Sequence, residues 1–326
     1  MQLERELDHS LNEALDRLLA MDATYEGGLS NHGPMAAEAL AHLGVPASIS
    51  PYVDHVLLKL EPARSDPAAA PDEWRHWLRA RLGALVGAAA SQAGHGLLRV
   101  AHAVRGLERA EADDADLTTF LRELGAAVAY WEGGATALPA PSALVGSLGV
   151  GEWLDSLERL DPGRRSDGML TLTLTDAARL PGFVDRVAAL APSSDPTATL
   201  DALGAAAAEC FRRNIGSSAF ATLHGTTVSA MATVLLDHLD DAGKQRLVAA
   251  VAGFVAAAVV GFDDALDIVA QDPTPAPPRL AELAAASLED HTIKFTDACI
   301  SIAARSGDQR PLDAAFRQIS RPYGEA

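Results

Sequence analysis

The residues in this chain best suited to chemistry are a few histidines and one lysine. The stretch 288–302 reads L-E-D-H-T-I-K-F-T-D-A-C-I-S-I. At 100° per residue, Leu280, Ala284, Leu288, Phe295, Ala298 and Ile302 form one apolar arc. His291 lies near its centre and Lys294 at its edge, one turn on. A lysine there needs a reason, because a buried ammonium is costly unless it is paired, neutralised or modified. Lys59, Lys244 and Lys294 are the only lysines among 26 basic residues, so Lys294 has escaped the chain's preference for arginine. Helix geometry alone leaves two readings: Lys294 joins His291, or it reaches past it to water.

His224 is the second candidate. On a helix from Ser218, the residues Phe220, Val228, Met231 and Leu235 centre on its direction, so its ring points into the core. A lone core histidine is most often a neutral ring with one hydrogen bond. Two helices that each aim a histidine into an apolar face point instead to a shared buried metal site, since neutral imidazole is a good transition-metal ligand. His32, His95 and His224 are each followed by glycine, where random pairing of 10 histidines with 26 glycines in 326 residues gives fewer than one case. Glycine permits close backbone approach. His95 and His102 are seven apart and share a helical face, opposite the arc of Leu97, Val100, Ala101, Val104 and Leu107. Either that helix is buried on both sides or these histidines lie near the surface. His32, in a loop before a helix start, reads equally as a ligand or a turn residue. His9, His42, His55, His76 and His238 read as surface or core filler.

Nearly all the elements that must position these groups are helices. Apolar periodicity predicts helices over 3–19, 34–43, 48–60, 72–90, 97–110, 117–132, 197–213, 218–239, 243–270 and 279–305. Pro34 stands at a first helical position. From 139 to 196 the pattern loosens into short helices and turns, and Leu170–Leu174, L-T-L-T-L, is the one alternating run with strand character. Without internal repeats or a long linker, the expectation is a mainly α chain: one large multi-helix domain over 1–326 with at most one short strand pair.

Composition narrows the function. A net charge of −18 without a basic patch argues against nucleic acid and anionic membrane as partners. Cys210 and Cys299 stand alone without CxxC or CxH spacing, which suits reduced core residues and a cytoplasmic location. The N-terminal stretch is acidic and amphipathic rather than signal-like. The longest uncharged apolar run, 247–262, is short for a membrane span and reads as a buried central helix in a soluble protein. Glu6/His9 and Glu73/His76 have di-iron spacing, but both histidines point away from the apolar stripe of their own helix. HExxH, a P-loop and Gly-x-Ser-x-Gly are all missing. Gly146-Ser-Leu-Gly-Val-Gly151 has the wrong glycine order for a dinucleotide fold and no strand before it, so there is no flavin motif.

Five motifs together are similar to the questin oxidase-like proteins. They are L-S-N-H-G-P-M-A-A-E-A-L at 29–40, G-H-G-L-L-R-V-A-H-A-V-R at 94–105, A-Y-W at 129–131, H-G-T-T at 224–227 and D-H-T-I-K-F-T-D-A-C at 290–299. They run in family order over about residues 8–307. The resemblance implies an oxygenase that opens aromatic polyketide rings, anthraquinones among them, by carbon–carbon cleavage with dioxygen. It also implies non-heme Fe(II) held by His32, His95, His224, His291 and a carboxylated Lys294. Fungal members look like H-P-x-x-H at the second motif. Here Arg99 stands at the second histidine's place, and His102, three residues on, either replaces it or lines the substrate pocket. Asp290 is the expected partner in catalysis, with Asp297 and Asn31 as orienting groups for the ligands. Residues 25–31 and Tyr130-Trp131 are expected pocket walls. Two rival readings stand beside this one: an NADPH-dependent Baeyer–Villiger-type oxidase, and a non-catalytic helical polyketide-binding protein.

Overall fold

The computed structural model describes residues 2–26, 28–135, 137–161, 170–192, 194–214, 216–263 and 272–320. Among them, fifteen α-helices follow in chain order. They are α1 (Gln2–Leu19), α2 (Gly33–His42), α3 (Ile49–Leu57), α4 (Trp74–Leu85), α5 (His95–Ala112), α6 (Thr118–Gly134), α7 (Val150–Ser156) and α8 (Leu170–Ala178), then α9 (Phe183–Ala188), α10 (Pro196–Arg213), α11 (Gly216–Ala232), α12 (Asp241–Phe262), α13 (Pro277–Ser287), α14 (Asp290–Ser306) and α15 (Arg310–Ser320). A two-stranded antiparallel hairpin, β1 (Thr24–Tyr25) and β2 (Leu29–Ser30), lies just before α2. The mainly α class expected from periodicity is what the chain adopts.

Residues 247–262 of α12 are all buried, as their uniform apolarity requires of a helix packed on every side. Two stretches, Ala219–His238 and Asp241–Phe262, are long and apolar enough to cross a membrane. Yet 83% and 89% of their apolar windows are buried inside the protein, as in core helices. One contiguous cluster of buried side chains runs from Leu11 to Ile293.

Two sequence expectations need correction. Leu170–Leu174 is not a strand but the start of α8. Its buried residues, Thr173, Leu174, Ala177 and Ala178, recur at helical spacing against α12, and Thr175 donates its hydroxyl to the Thr171 carbonyl one turn back. Tertiary packing decides such a short run. The single helix expected over 279–305 is two. Leu288 adopts a left-handed backbone (φ 54°), and Glu289 then caps a new helix, its carboxylate accepting from the backbone N–H of His291 (3.1 Å) and Thr292 (2.6 Å). The helix expected to run to 270 ends at Phe262, and 264–271 lie outside the described residues.

Four helices matter for the site. α2 packs on α5, α5 on α11, α11 on α14, and α14 back on α2, so they close a ring.

Candidate metal centre

Each helix of that ring brings one histidine to its centre. His32 is the N-cap of α2, His95 opens α5, His224 sits mid-way along α11, and His291 is the second residue of α14. Three of them are placed by the glycine that follows. A Cβ on Gly33 would meet Leu18 at 2.5 Å, and one on Gly96 would meet Trp131 at 2.4 Å. On Gly225 it would meet the Ala207 methyl at 3.2 Å. The missing side chains let neighbouring helices come close enough to bring the rings together. α5 is buried on both faces, which settles how His95 and His102 can share a face opposite its apolar arc and still be buried.

The hydrogen bonds of the rings determine where their lone pairs point. His95 Nδ1 lies 2.5 Å from the Gln92 carbonyl and His224 Nδ1 lies 2.9 Å from the Phe220 carbonyl. A carbonyl only accepts, so both Nδ1 atoms carry the proton and both Nε2 atoms are bare when the rings are neutral. The Asp290 carboxylate takes Nδ1–H of His32 (3.0 Å) in the same way, and His291 Nδ1 faces carboxylates too, hydrogen-bonded to Glu289 (3.2 Å) and 2.8 Å from Asp290. The Nε2 atoms then converge: His32 and His95 are 2.8 Å apart, His95 and His224 3.2 Å. His291 Nε2 is buried with no hydrogen-bond partner among the described residues.

Protonation does not relieve this crowding. Burial, then Lys294, pushes the His32 pKa down to about 4, against the pull of Asp290. Burial and the neighbouring rings hold His95 and His224 well below the ordinary value. Only His291 is raised: burial opposes its charged form, but Asp290 outweighs it. Three lone pairs facing one another at hydrogen-bond distance repel unless a cation lies between them. Two imidazole nitrogens about 2.1 Å from one ion and at right angles to it would be about 3.0 Å apart, close to both separations. The donor atoms of His32, His95 and His291 all lie within 4.8 Å of one another. The residues present fit a transition-metal ion, and the proton on each Nδ1 is the usual orienting device for such ligands.

Lys294 lies beside this cluster. It is 3% exposed and its amine has no hydrogen-bond partner among the described residues, whereas the His291 side chain is 13% exposed. Between the two readings of Lys294, the structure gives the inward one. Burial pushes its pKa down to about 8, with Asp290 and Glu289 opposing.

The other expected residues fall elsewhere. Asp290 is in the site, as a bridge between two rings. Asn31 does not touch the His32 ring; it accepts from Gly33 N–H (2.9 Å) and donates to the Asp22 carbonyl. His102 and Asp297 join a different buried cluster. There, Arg105 Nη2 donates to Glu38 Oε2 (2.6 Å) and Asp297 Oδ2 (2.7 Å). His102 Nδ1 donates to Glu38 (2.7 Å) and His42 Nδ1 to Asp297 (2.6 Å). This clasp ties α2, α5 and α14 together beyond their ligands. His42, read from sequence as filler, is its exposed end, with 42% of the side chain open to solvent. The available signal was Glu38, a single charge in the Ala- and Leu-rich run 35–41. Of the expected pocket walls, Trp131 is buried core against Gly96, while Tyr130 lines a surface cleft.

No family model, no curated protein and no solved structure matches this chain.

Proposed function

We propose that the chain is a non-heme iron-dependent oxygenase that opens the ring of an aromatic, polyketide-derived substrate by cleaving a carbon–carbon bond with dioxygen. One observation supports the metal part above all: His32, His95 and His224 face one another through Nε2 atoms, with the unpartnered Nε2 of His291 and a buried amine without a hydrogen-bond partner among the described residues beside them. The five motifs similar to questin oxidase-like proteins support the substrate and reaction class.

Iron bound there would supply the redox chemistry with dioxygen. His32, His95, His224 and His291 would hold it through Nε2, and Asp290 would keep two of the rings in the required tautomer. Lys294 supplies a fifth ligand if its neutral amine adds carbon dioxide and loses one proton, which gives an anionic carbamate with oxygen donors. Burial favours the neutral amine that this addition needs. The surrounding apolar helices exclude bulk water and so strengthen every charge interaction inside the ring.

The test is elemental analysis of protein purified without added metal, beside Lys294→Ala. The expected result is about one transition-metal ion per chain, iron predominating, and reduced occupancy in the variant. Wild-type protein without stoichiometric metal would sink the proposal. Unchanged occupancy and activity in Lys294→Ala would remove the lysine alone.

A further inference from the structure

A cleft of about 270 Å³ opens between the chain after α1 and helices α5 and α6. Its two walls are the segment Leu19–Ala23 and the stretch from Ala63 to Pro67, and its floor is Arg99 of α5 with Ala126, Ala129 and Tyr130 of α6. The walls are fixed. Asp22 N–H donates to the Glu61 carbonyl (2.8 Å) and Ala63 N–H to the Ala20 carbonyl (2.9 Å), tying one end together. Ala70 N–H donates to the Leu121 carbonyl (2.9 Å), and Gly125 lets the chain at Ala68 lie directly on α6. The floor is linked to two of the ligand histidines. The Tyr130 hydroxyl bonds Ser30 Oγ (2.5 Å), two residues before His32. The Tyr130 carbonyl accepts from Gln92 (3.3 Å), whose own carbonyl orients His95.

Most of the lining is apolar or small; on the walls Asp22 and Arg64 pair with each other (3.8 Å), and the floor carries two hydrogen-bonding groups. Arg99 is 5% exposed and gives Nε and Nη2 to Glu123 (2.7 and 2.9 Å). Its Nη1 makes no hydrogen bond with any described residue. The guanidinium lies 5.9 Å from the Tyr130 ring centroid, which places a flat cation beside a flat ring. With Ser30 donating to Tyr130, the phenol O–H is left to donate as well. Glu123 balances the charge of Arg99, so the floor suits an acceptor oxygen on an otherwise apolar ring better than a strongly charged group.

We infer that this cleft binds a flat aromatic ligand whose ring oxygen, a quinone carbonyl or a neutral phenol, accepts from Arg99 Nη1 and the Tyr130 hydroxyl. Taking that ligand as the substrate rests on the oxygenase reading; binding itself needs no metal. The probe is 5-hydroxy-1,4-naphthoquinone, neutral at pH 7, titrated calorimetrically into as-purified and chelator-treated full-length protein, with naphthalene as the oxygen-free control. One site per chain is expected, with naphthalene at least about tenfold weaker and Tyr130→Phe weakened by about tenfold. Arg99→Met combined with Glu123→Leu removes both partners, leaves no buried charge alone, and is expected to weaken binding about 10- to 100-fold. Ala126→Phe, which fills the cleft, is expected to abolish binding and decides the matter if the double variant does not fold. Absence of binding to wild-type protein, or unchanged binding in Tyr130→Phe and Ala126→Phe, overturns the inference. Ligand binding by protein that never holds metal would instead sink the oxygenase reading and leave the cleft standing.

Discussion

Asp290 is the side chain whose role shifts most between sequence and structure. Sequence patterning places it about 100° from His291 on a helical plot, a weak position for a partner. Because α14 begins at Asp290 itself, its carboxylate can turn back, take Nδ1–H from His32 and lie against Nδ1 of His291, which Glu289 also accepts from. Replacing it with asparagine weakens one acceptor shared by two rings. We expect Asp290→Asn to lower metal affinity about 10- to 100-fold, measured by competition with a chromogenic chelator. His102→Gln, outside the convergent rings, is expected to change that affinity far less. His291 and Lys294 show a related limit of the helical plot. Their order of burial is the reverse of what one continuous arc over 280–302 implies, since the arc passes through a break at Leu288.

At the level of elements, helices such as α1, α5, α6 and α10 were readable to within a few residues, because an amphipathic stripe over three or more turns has one reading. The boundary between α13 and α14 was not. It carries no glycine or proline, and a glutamate N-cap after a left-handed leucine leaves almost no mark in composition. That cap can be tested directly. Glu289→Ala should lower stability by about 1 kcal/mol, visible as a lower thermal midpoint in metal-free protein. The Glu38 clasp was equally hard to see, as its members are scattered over α2, α5 and α14 and only meet in three dimensions. Removing the Glu38 charge leaves Arg105 and His102 short of a buried partner. Glu38→Gln is therefore expected to cost about 3–5 kcal/mol in urea denaturation. It should also loosen metal binding, because three of the four ligand-bearing helices lose their common tie. The histidine cluster was legible from patterning only as two inward histidines, His224 and His291; His32 and His95 entered through the family resemblance. What joins them, the common direction of their Nε2 atoms, depends on backbone carbonyls such as those of Gln92 and Phe220, which sequence patterning does not place.

At the scale of the whole molecule, acidity sets the pH response. Burial opposes ionisation of Asp297, but Arg105 and His42 lower its pKa to about 2. Glu38 is likewise held well below its ordinary value by Arg105 and His102 despite burial. A carboxylate with a depressed folded-state pKa contributes stability that is complete above its unfolded value, near 4, and is lost as pH falls through the folded value. Unfolding free energy of metal-free protein should begin to fall below about pH 6.5, as the unfolded chain protonates histidines that burial keeps neutral in the fold, and drop more steeply between about 4 and 2 as the carboxylates protonate. Denaturation curves at pH 6, 4 and 3 check this; a level profile down to pH 3 would contradict it. A net charge of −18 also predicts that moderate salt raises the thermal midpoint at neutral pH, by screening self-repulsion.

The three His-Gly pairs have a consequence for how such a chain could drift in evolution. Each glycine's missing Cβ is the space filled by another residue: Leu18 at Gly33, Trp131 at Gly96, Ala207 at Gly225. Neither member of a pair can change freely while the other stays. A substitution such as Gly96→Ala should be tolerated only alongside a smaller residue at 131, so the pairs are expected to covary among descendants of this sequence. The imprint of the histidine cluster would then extend to residues outside it.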